Sequence, residues 1–325
     1  MIRDSRFDFA KGVLIVLVVF AHLPRMGSCA NELETLVSWI YTFHMPVFVL
    51  ITGYFFGKKT GTLGEAKTVA SRMFRPFFTM AIVSSALYVV AAKLGVQTSA
   101  DVPVNDLPQL TKNILLGAGG GALWYLYTCG VFQLLTLIGL YVSSKCRVRT
   151  AWFNLAICVA IAWTGSFVLH KIGFRVNAIM VPYFIIGFAF RRSDFKMPSN
   201  LLFGLIAAIV VIVADVHIGC VANYVWIVAI FFTLLGLGQL ADAKLPRFSN
   251  ALCYLGKHTL AILIFHNILS VGLRPLSSLV LNIEPTGIVL QLSMTAVLIT
   301  LSIGLEWAIK KTPAQILIFE KEKAK

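Results

Sequence analysis

Long, nearly unbroken apolar blocks run through the whole sequence, and they limit the possible folds more than any other feature. A helix needs about 20 mostly apolar residues to cross a bilayer, and many such blocks fit into the 325 residues. Only 13% of the residues are charged, whereas soluble domains carry about a quarter. Segments of roughly ten alternating residues, as in membrane barrels, are absent from the sequence. The sequence therefore predicts an all-α, polytopic helical membrane protein.

The apolar blocks predict ten transmembrane helices in one transmembrane domain that covers residues 1–325. They lie at about 9–27, 36–57, 76–92, 121–142, 151–170, 176–190, 200–217, 221–240, 255–273 and 287–309. With a cytosolic N-terminus, the basic residues outside would be only Arg25, Lys93, Lys112, Lys171, Arg175 and Arg274. The bias agrees with the positive-inside rule, so we expect both termini in the cytosol.

The net charge of +14 follows from this topology, so we expect no nucleic-acid partner. The first block follows basic residues and could also be a cleaved leader. Pro24, Arg25 and nine further spans instead favour a retained helix. Of the six cysteines, Cys29 and Cys220 fall in predicted outer loops, where a disulfide can persist.

Three ionisable residues share one stripe of the first predicted helix. Asp8 and Lys11 are three residues apart, and the eleven steps from Lys11 to His22 return to nearly the same face at about 100° per residue. Ionisable groups in a membrane usually face the bundle interior or a wet cavity. The stripe predicts functional residues, with helix anchors and a hydrogen-bonded core histidine as the alternative.

Two further histidines lie inside predicted spans at a comparable depth. His44 precedes Pro46, which removes a helix hydrogen bond, and His266 lies near the middle of the ninth span. Histidine titrates near neutrality and suits general-base catalysis. The sequence contains no HExxH pair and no carboxylate-rich set, so we expect no metal.

Arginines and aromatic residues mark two further candidate binding regions. Arg72 and Arg75 precede the third span on its inner side, and guanidinium groups bind phosphate in a bidentate manner. The positive-inside rule explains the same residues equally well. Trp124 and Tyr127 follow a glycine-rich segment and either belong to the interfacial aromatic belt or line a sugar entrance.

With these residues in view, the sequence resembles the acyltransferase 3 family of integral membrane enzymes, and within it the fucose 4-O-acetylase-like branch. The matching segments, in order from residue 6 to 266, are RFDFAKG…H, FHMPVFVLITGYFF, RMFRPFF, ALWYLY, PYFIIGFAFRR and LGKHTLAILIFH. The resemblance implies transfer of an acyl group from cytosolic acyl-CoA, usually acetyl-CoA, to a sugar hydroxyl. The acceptor would belong to a surface glycan or its lipid-linked precursor, and the enzyme to the bacterial inner membrane.

The resemblance also implies roles for single residues. His22 would be the catalytic residue with Lys11 as its basic companion, and Arg72 and Arg75 would meet the CoA phosphates. Other branches of the family carry a glutamate after the tryptophan of the fourth span. The corresponding segment of this chain, LWYLYTCG, has no glutamate, so the resemblance implies no carboxylate role there.

Depth and facing add further hypotheses within the same mechanism. Asp8 joins the catalytic stripe, His44 is the candidate donor to the oxyanion, and His266 is a second candidate.

A transporter or flippase is the main alternative, because many spans with polar groups at mid-membrane suit it as well. The sequence shows no convincing internal repeat, and its motifs crowd into the first third. The acyl group, the acceptor and the oligomeric state are left open at this stage.

Overall fold

The computed structural model of the chain describes residues 4–93, 107–118, 121–146, 150–193, 209, 220–273 and 277–319. Within these ranges the chain is helical and contains no strand, which confirms the predicted all-α class. The helices are α1 (Ser5–His22), α2 (Ala30–Phe56), α3 (Leu63–Val69), α4 (Arg75–Lys93), α5 (Leu107–Leu115), α6 (Trp124–Lys145), α7 (Ala151–Lys171), α8 (Val181–Arg192), α9 (Val221–Lys244), α10 (Pro246–Lys257), α11 (Thr259–Leu273), α12 (Ser277–Ile283), α13 (Ile288–Lys310) and α14 (Gln315–Ile318).

The chain divides into two compact units. Unit 1 comprises Met1–Ile51 and Phe195–Glu306, and unit 2 comprises Thr52–Asp194 and Trp307–Lys325. Each unit therefore combines segments from distant parts of the sequence. A single transmembrane domain over residues 1–325 stays a prediction.

Six of the described helices are long and apolar enough to cross a membrane. A seventh span results if α10 and α11, which meet at 75°, are counted together. This agrees with a multi-pass membrane protein, whereas ten spans and cytosolic termini stay predictions. The predicted span at 176–190 corresponds to α8, whose 12 residues are fewer than a crossing needs. The predicted span at 200–217 lies outside the described residues, apart from residue 209.

The first helix begins and ends earlier than the predicted 9–27. Asp4 caps its start, since the Asp4 carboxylate accepts the backbone N–H of Arg6 at 3.1 Å. The side-chain hydrogen bond from Arg6 lowers the pKa of the Asp4 carboxyl group, which keeps a negative charge at the positive end of the helix dipole. Leu23 precedes Pro24 and is extended, with φ −76° and ψ 146°, as residues before proline prefer. His22 is therefore the last residue of α1.

Helices α1 and α10 approach each other closely enough for their backbones to touch. A Cβ atom on Gly12 would lie 2.0 Å from the carbonyl oxygen of Leu252, and one on Gly256 would lie 1.8 Å from the carbonyl oxygen of Asp8. Small residues allow such close packing between membrane helices. The contact therefore fixes the Asp8 turn of α1 against α10.

We expect Gly256→Ala to reduce the free energy of unfolding by about 1–3 kcal/mol, because the added methyl group meets rigid backbone. Gly304→Ala is the matched control, since a Cβ atom there meets nothing within 4 Å. This control should be neutral or stabilising by up to about 1 kcal/mol. Unfolding of both variants in detergent measures the difference, and equal effects would contradict the close contact.

The loop after α1 is joined to the loop before α13. The backbone N–H of Ser28 donates to the carbonyl oxygen of Pro285 at 2.9 Å. Gly27 and Gly287 both have positive φ angles, of 89° and 84°, and a Cβ atom on Gly287 would lie 1.8 Å from the carbonyl oxygen of Met26. Glycine alone accepts both the angle and the contact. The pairing holds the end of α1 beside the start of α13.

Cys29 and Cys220, the two cysteines considered for a disulfide, are not joined by one in this structure. Cys220 instead caps α9, where its sulfur accepts the backbone N–H of Asn223 at 3.3 Å. This bond closes the first turn of α9 at Asn223.

Candidate active site

Three of the predicted site residues, His22, His44 and His266, come together in unit 1. The ring centres of His22 and His266 lie 5.3 Å apart, and those of His22 and His44 lie 6.5 Å apart. Both pairs are nearly perpendicular, with interplanar angles of 82° and 80°. The histidine cluster therefore combines the end of α1 with the middle of α2 and of α11.

All three rings are held by the same local hydrogen bond. The Nδ1 atom lies 2.7 Å from the Val18 carbonyl oxygen in His22, 2.7 Å from that of Ile40 in His44, and 2.8 Å from that of Ile262 in His266. A carbonyl oxygen only accepts, so Nδ1 carries the hydrogen in each ring. In a neutral imidazole the lone pair then lies on Nε2. The cluster therefore offers three proton-accepting nitrogens with a defined tautomer.

Two of these nitrogens are buried and have no partner in the part of the chain that the structure describes. The side chains of His44 and His266 are 0% and 1% exposed, and their Nε2 atoms have no hydrogen-bond partner among the described residues. A buried polar atom that makes no hydrogen bond costs about 1–3 kcal/mol. His22 is only partly buried. The cluster thus combines one accessible ring with two sheltered acceptors.

The end of α1 is held by two side chains that the sequence analysis did not single out. The carbonyl groups of a last helical turn have no partner inside the helix. Gln291 on α13 donates Nε2–H to the Phe20 carbonyl oxygen at 2.7 Å, and the Tyr41 hydroxyl group donates to the Ala21 carbonyl oxygen at 3.2 Å. These two bonds fix the helix end from which His22 projects.

Tyr41 also belongs to the histidine cluster through its ring. Its ring centre lies 6.0 Å from that of His22 and 5.1 Å from that of His44. The sequence signal that could have found it is its position, three residues before His44 and hence on the same face of α2.

Asp8 and Lys11 form an ion pair one helical turn from the start of α1. The distance from Lys11 Nζ to Asp8 Oδ1 is 2.8 Å, and the side chains are 20% and 4% exposed, respectively. Lys11 and His22 lie on the same stripe but about 16 Å apart along the helix axis. The two residues therefore do not touch, and a direct contact cannot be the basis of any cooperation between them.

The two predicted phosphate-binding arginines lie in unit 2. Arg72 is part of a π-helical turn, Ala70–Phe74, and Arg75 begins α4. Arg75 donates through Nη2 to the Phe319 carbonyl oxygen at 3.1 Å, while its buried Nε makes no hydrogen bond within the described part of the chain. Because only the Nη2 bond is made among the described residues, Arg75 keeps further N–H donors available. The π-helical turn that contains Arg72 is of a kind that is frequent at functional sites.

The two predicted substrate-binding aromatic residues also lie in unit 2, and their surroundings differ. Trp124 begins α6 and is partly buried. Tyr127 is 4% exposed, its ring centre lies 5.0 Å from that of Phe77, and its hydroxyl group donates to the Leu115 carbonyl oxygen at 3.4 Å. Tyr127 therefore packs within unit 2, and its role in sugar binding stays a prediction.

Metal binding gains no support from the arrangement of ligating residues. In the described ranges, no group of three or more His, Cys, Asp or Glu residues is arranged to hold a metal ion. The absence of a metal from the reaction stays a prediction.

Comparison with known proteins extends these observations. The profile of acyltransferase 3, described as an acyltransferase domain, matches residues 4–308. The chain belongs to this family. The match covers α1 and almost all of α13 and so includes every residue of the histidine cluster. Membership of the family, predicted from the sequence motifs, is confirmed.

Two curated relatives of this family member are nodulation proteins. Nodulation protein NolL of Sinorhizobium fredii (strain NBRC 101917 / NGR234) is 25% identical over 207 residues, which cover 62% of this chain and 52% of the relative. Nodulation protein NolL of Mesorhizobium japonicum (strain LMG 29417 / CECT 9101 / MAFF 303099) is 25% identical over 201 residues, which cover 58% and 48%. The matched part of the chain thus spans about half the length of these relatives. No solved structure matches the chain.

Proposed function

We propose that the protein is a membrane O-acyltransferase that moves an acyl group, most simply acetyl, from cytosolic acyl-CoA to a sugar hydroxyl group. The observation that carries this proposal is the histidine cluster, in which three Nε2 acceptors share one tautomer and two have no partner in the described structure. Family membership supports the same class of reaction.

His22 is the proposed general base, because it is the accessible member of the cluster and its free nitrogen is an acceptor. Nε2 takes the proton of the acceptor hydroxyl group while the hydroxyl oxygen attacks the carbonyl carbon of the thioester. The carbon–sulfur bond breaks, and the thiolate of CoA takes the proton back from the imidazolium. The Nδ1 bond to the Val18 carbonyl keeps the ring oriented throughout both proton transfers.

The tautomer changes the role that we propose for the other two rings. A neutral His44 or His266 with Nδ1–H on a carbonyl oxygen cannot donate through Nε2. Oxyanion stabilisation by either ring would require an imidazolium. We therefore propose that both rings, which are buried, hold the position of the His22 ring beside them rather than stabilise the oxyanion.

Positive charge near the cytosolic side is the proposed basis for acyl-CoA binding. CoA phosphates match the guanidinium groups of Arg72 and Arg75. Arg75 retains donors after its bond to the Phe319 carbonyl oxygen. Lys11 contributes positive charge on α1, moderated by its pairing with Asp8.

The acceptor is proposed to be a sugar of a surface glycan or of its lipid-linked precursor, and the location a bacterial inner membrane. Neutral histidine acceptors suit hydroxyl groups, which donate, better than carboxylates, which only accept. Trp124 is proposed as a sugar-binding residue on its residue type alone. These assignments would place acyl-CoA, glycan and membrane lipid among the partners.

The proposal is tested with membranes that contain the protein, acetyl-CoA labelled in the acetyl group and an extract of lipid-linked glycans. We expect base-labile label to appear in the glycan together with an equal amount of free CoA. Membranes without the protein are the control. If no acyl-CoA and no glycan offered gives label transfer or CoA release, the proposal is overturned and the transporter alternative is favoured.

A further inference from the structure

Helix α2 lacks one backbone hydrogen bond beside His44. Pro46 lies inside the helix, and its nitrogen carries no hydrogen for the carbonyl oxygen of Thr42, four residues earlier. An unpaired carbonyl group is costly within a membrane, so other groups usually satisfy it. His44 lies midway between these two residues, and the missing bond therefore weakens the turn that carries it.

A side chain from α9 supplies the missing donor. Asn223 is fully buried, and its Nδ2 donates to the Thr42 carbonyl oxygen at 3.0 Å. Thr42 belongs to unit 1 together with α9, so this contact lies within one unit. The Asn223 amide takes the place of the absent N–H of residue 46, although Asn223 lies 181 positions from Thr42 in the sequence.

The next turn of α9 also binds Thr42, here through the hydroxyl group of its side chain. Trp226 donates Nε1–H to the Thr42 hydroxyl oxygen at 3.2 Å, and its ring meets that of Phe43 edge-on at 6.2 Å. The Thr42 hydroxyl group donates in turn to the Trp39 carbonyl oxygen at 2.7 Å. Both polar groups of Thr42 are thus bound by one face of α9.

We propose that Asn223 is a positioning residue for the histidine cluster. By completing the helix at the proline, it holds the turn of α2 on which His44 stands, and so the 6.5 Å spacing between the His44 and His22 rings. Asparagine suits this task because its amide donates, whereas an ionised aspartate of the same size only accepts. The catalytic consequence rests on the proposed function, whereas the bond to the Thr42 carbonyl does not.

A cycle of Asn223→Leu, Pro46→Ala and the double variant tests this inference. Leucine keeps the branched shape and the number of heavy atoms but removes the donor, and alanine at residue 46 returns the backbone N–H to the Thr42 carbonyl. Asn223→Leu should lower the apparent melting temperature in detergent by about 3–5 °C and kcat by about 10- to 100-fold. The KM for acyl-CoA should stay within about twofold, since the donor site is not involved. In the Pro46→Ala background, the same change should cost at most about 1 °C.

Trp226→Phe is the matched control, because it removes a bond to the Thr42 hydroxyl group and keeps the aromatic packing. Its effect should be equal in both backgrounds. If Asn223→Leu also lowers the melting temperature by the same amount in both backgrounds, the inference is overturned. If only the melting temperatures are coupled and kcat is unchanged, Asn223 has no positioning role. If the wild type transfers nothing, the proposed function fails and the melting temperatures alone decide whether Asn223 replaces the missing donor.

Discussion

Membranes with His22→Ala are expected to transfer acyl groups about 10²- to 10⁴-fold more slowly than the wild type, which is the usual contribution of a general base. His22→Asn sharpens the test. Its side-chain amide can still donate to the Val18 carbonyl oxygen, as Nδ1 does in the wild type, but it has no nitrogen that accepts a proton. We therefore expect His22→Asn to be as slow as His22→Ala while it melts close to the wild type. The measurement is label transfer at equal amounts of folded protein.

His170→Ala is the control for losing a histidine. His170 lies in unit 2, where its Nδ1 lies 3.2 Å from the Val176 carbonyl oxygen, so this variant also loses a ring bound to a backbone carbonyl group. It should transfer acyl groups at nearly the rate of the wild type. Wild-type rates in a well-folded His22→Asn protein would contradict the role of His22 as the base.

The second large effect is expected at the ion pair on α1. Asp8→Asn should reduce the free energy of unfolding by about 3–5 kcal/mol, because it leaves the mostly buried ammonium group of Lys11 without its carboxylate partner. Adding Lys11→Met should recover most of this loss, since the double variant also removes the ammonium group that the Asp8 carboxylate pairs with. Unfolding in detergent measures both changes.

Two comparisons make this result specific. Glu34→Gln breaks the Arg25–Glu34 pair, in which the glutamate is 57% exposed, and should leave the free energy of unfolding nearly unchanged because solvent screens the pair. The double variant at Asp8 and Lys11 then separates anchoring from acyl-CoA binding. If Lys11 helps to bind acyl-CoA, the folded double variant should show a KM for acyl-CoA raised about tenfold. An unchanged KM would mean that the pair only anchors α1.

The histidine cluster could be predicted in part because depth in a membrane follows from position along an apolar segment. His22, His44 and His266 each lie in such a segment, and the sequence places them at comparable depth without showing whether the rings meet. The orientation of the rings could not be predicted, because it depends on carbonyl oxygens of the helix itself, at Val18, Ile40 and Ile262.

Other features escaped the sequence analysis for physical reasons. The end of α1 at His22 depends on the extended residue before Pro24, a local signal that the apolar pattern hides. Asn223 is one amide in an apolar helix, and its purpose becomes visible only from the carbonyl group that Pro46 leaves unpaired. Burial of Tyr127 is a matter of packing, which residue type alone does not determine.

The bond from Gln291 to the Phe20 carbonyl oxygen joins residues that are 271 positions apart. A ribosome adds about 5–20 residues per second, so Phe20 is made roughly 14–54 s before its partner. For most of this interval α1 has neither Gln291 at its end nor the α10 backbone against Gly12. The newly made first helix therefore exists for most of this time without the contacts that hold it at Gly12 and at Phe20, and the histidine cluster cannot be complete before His266 has been made.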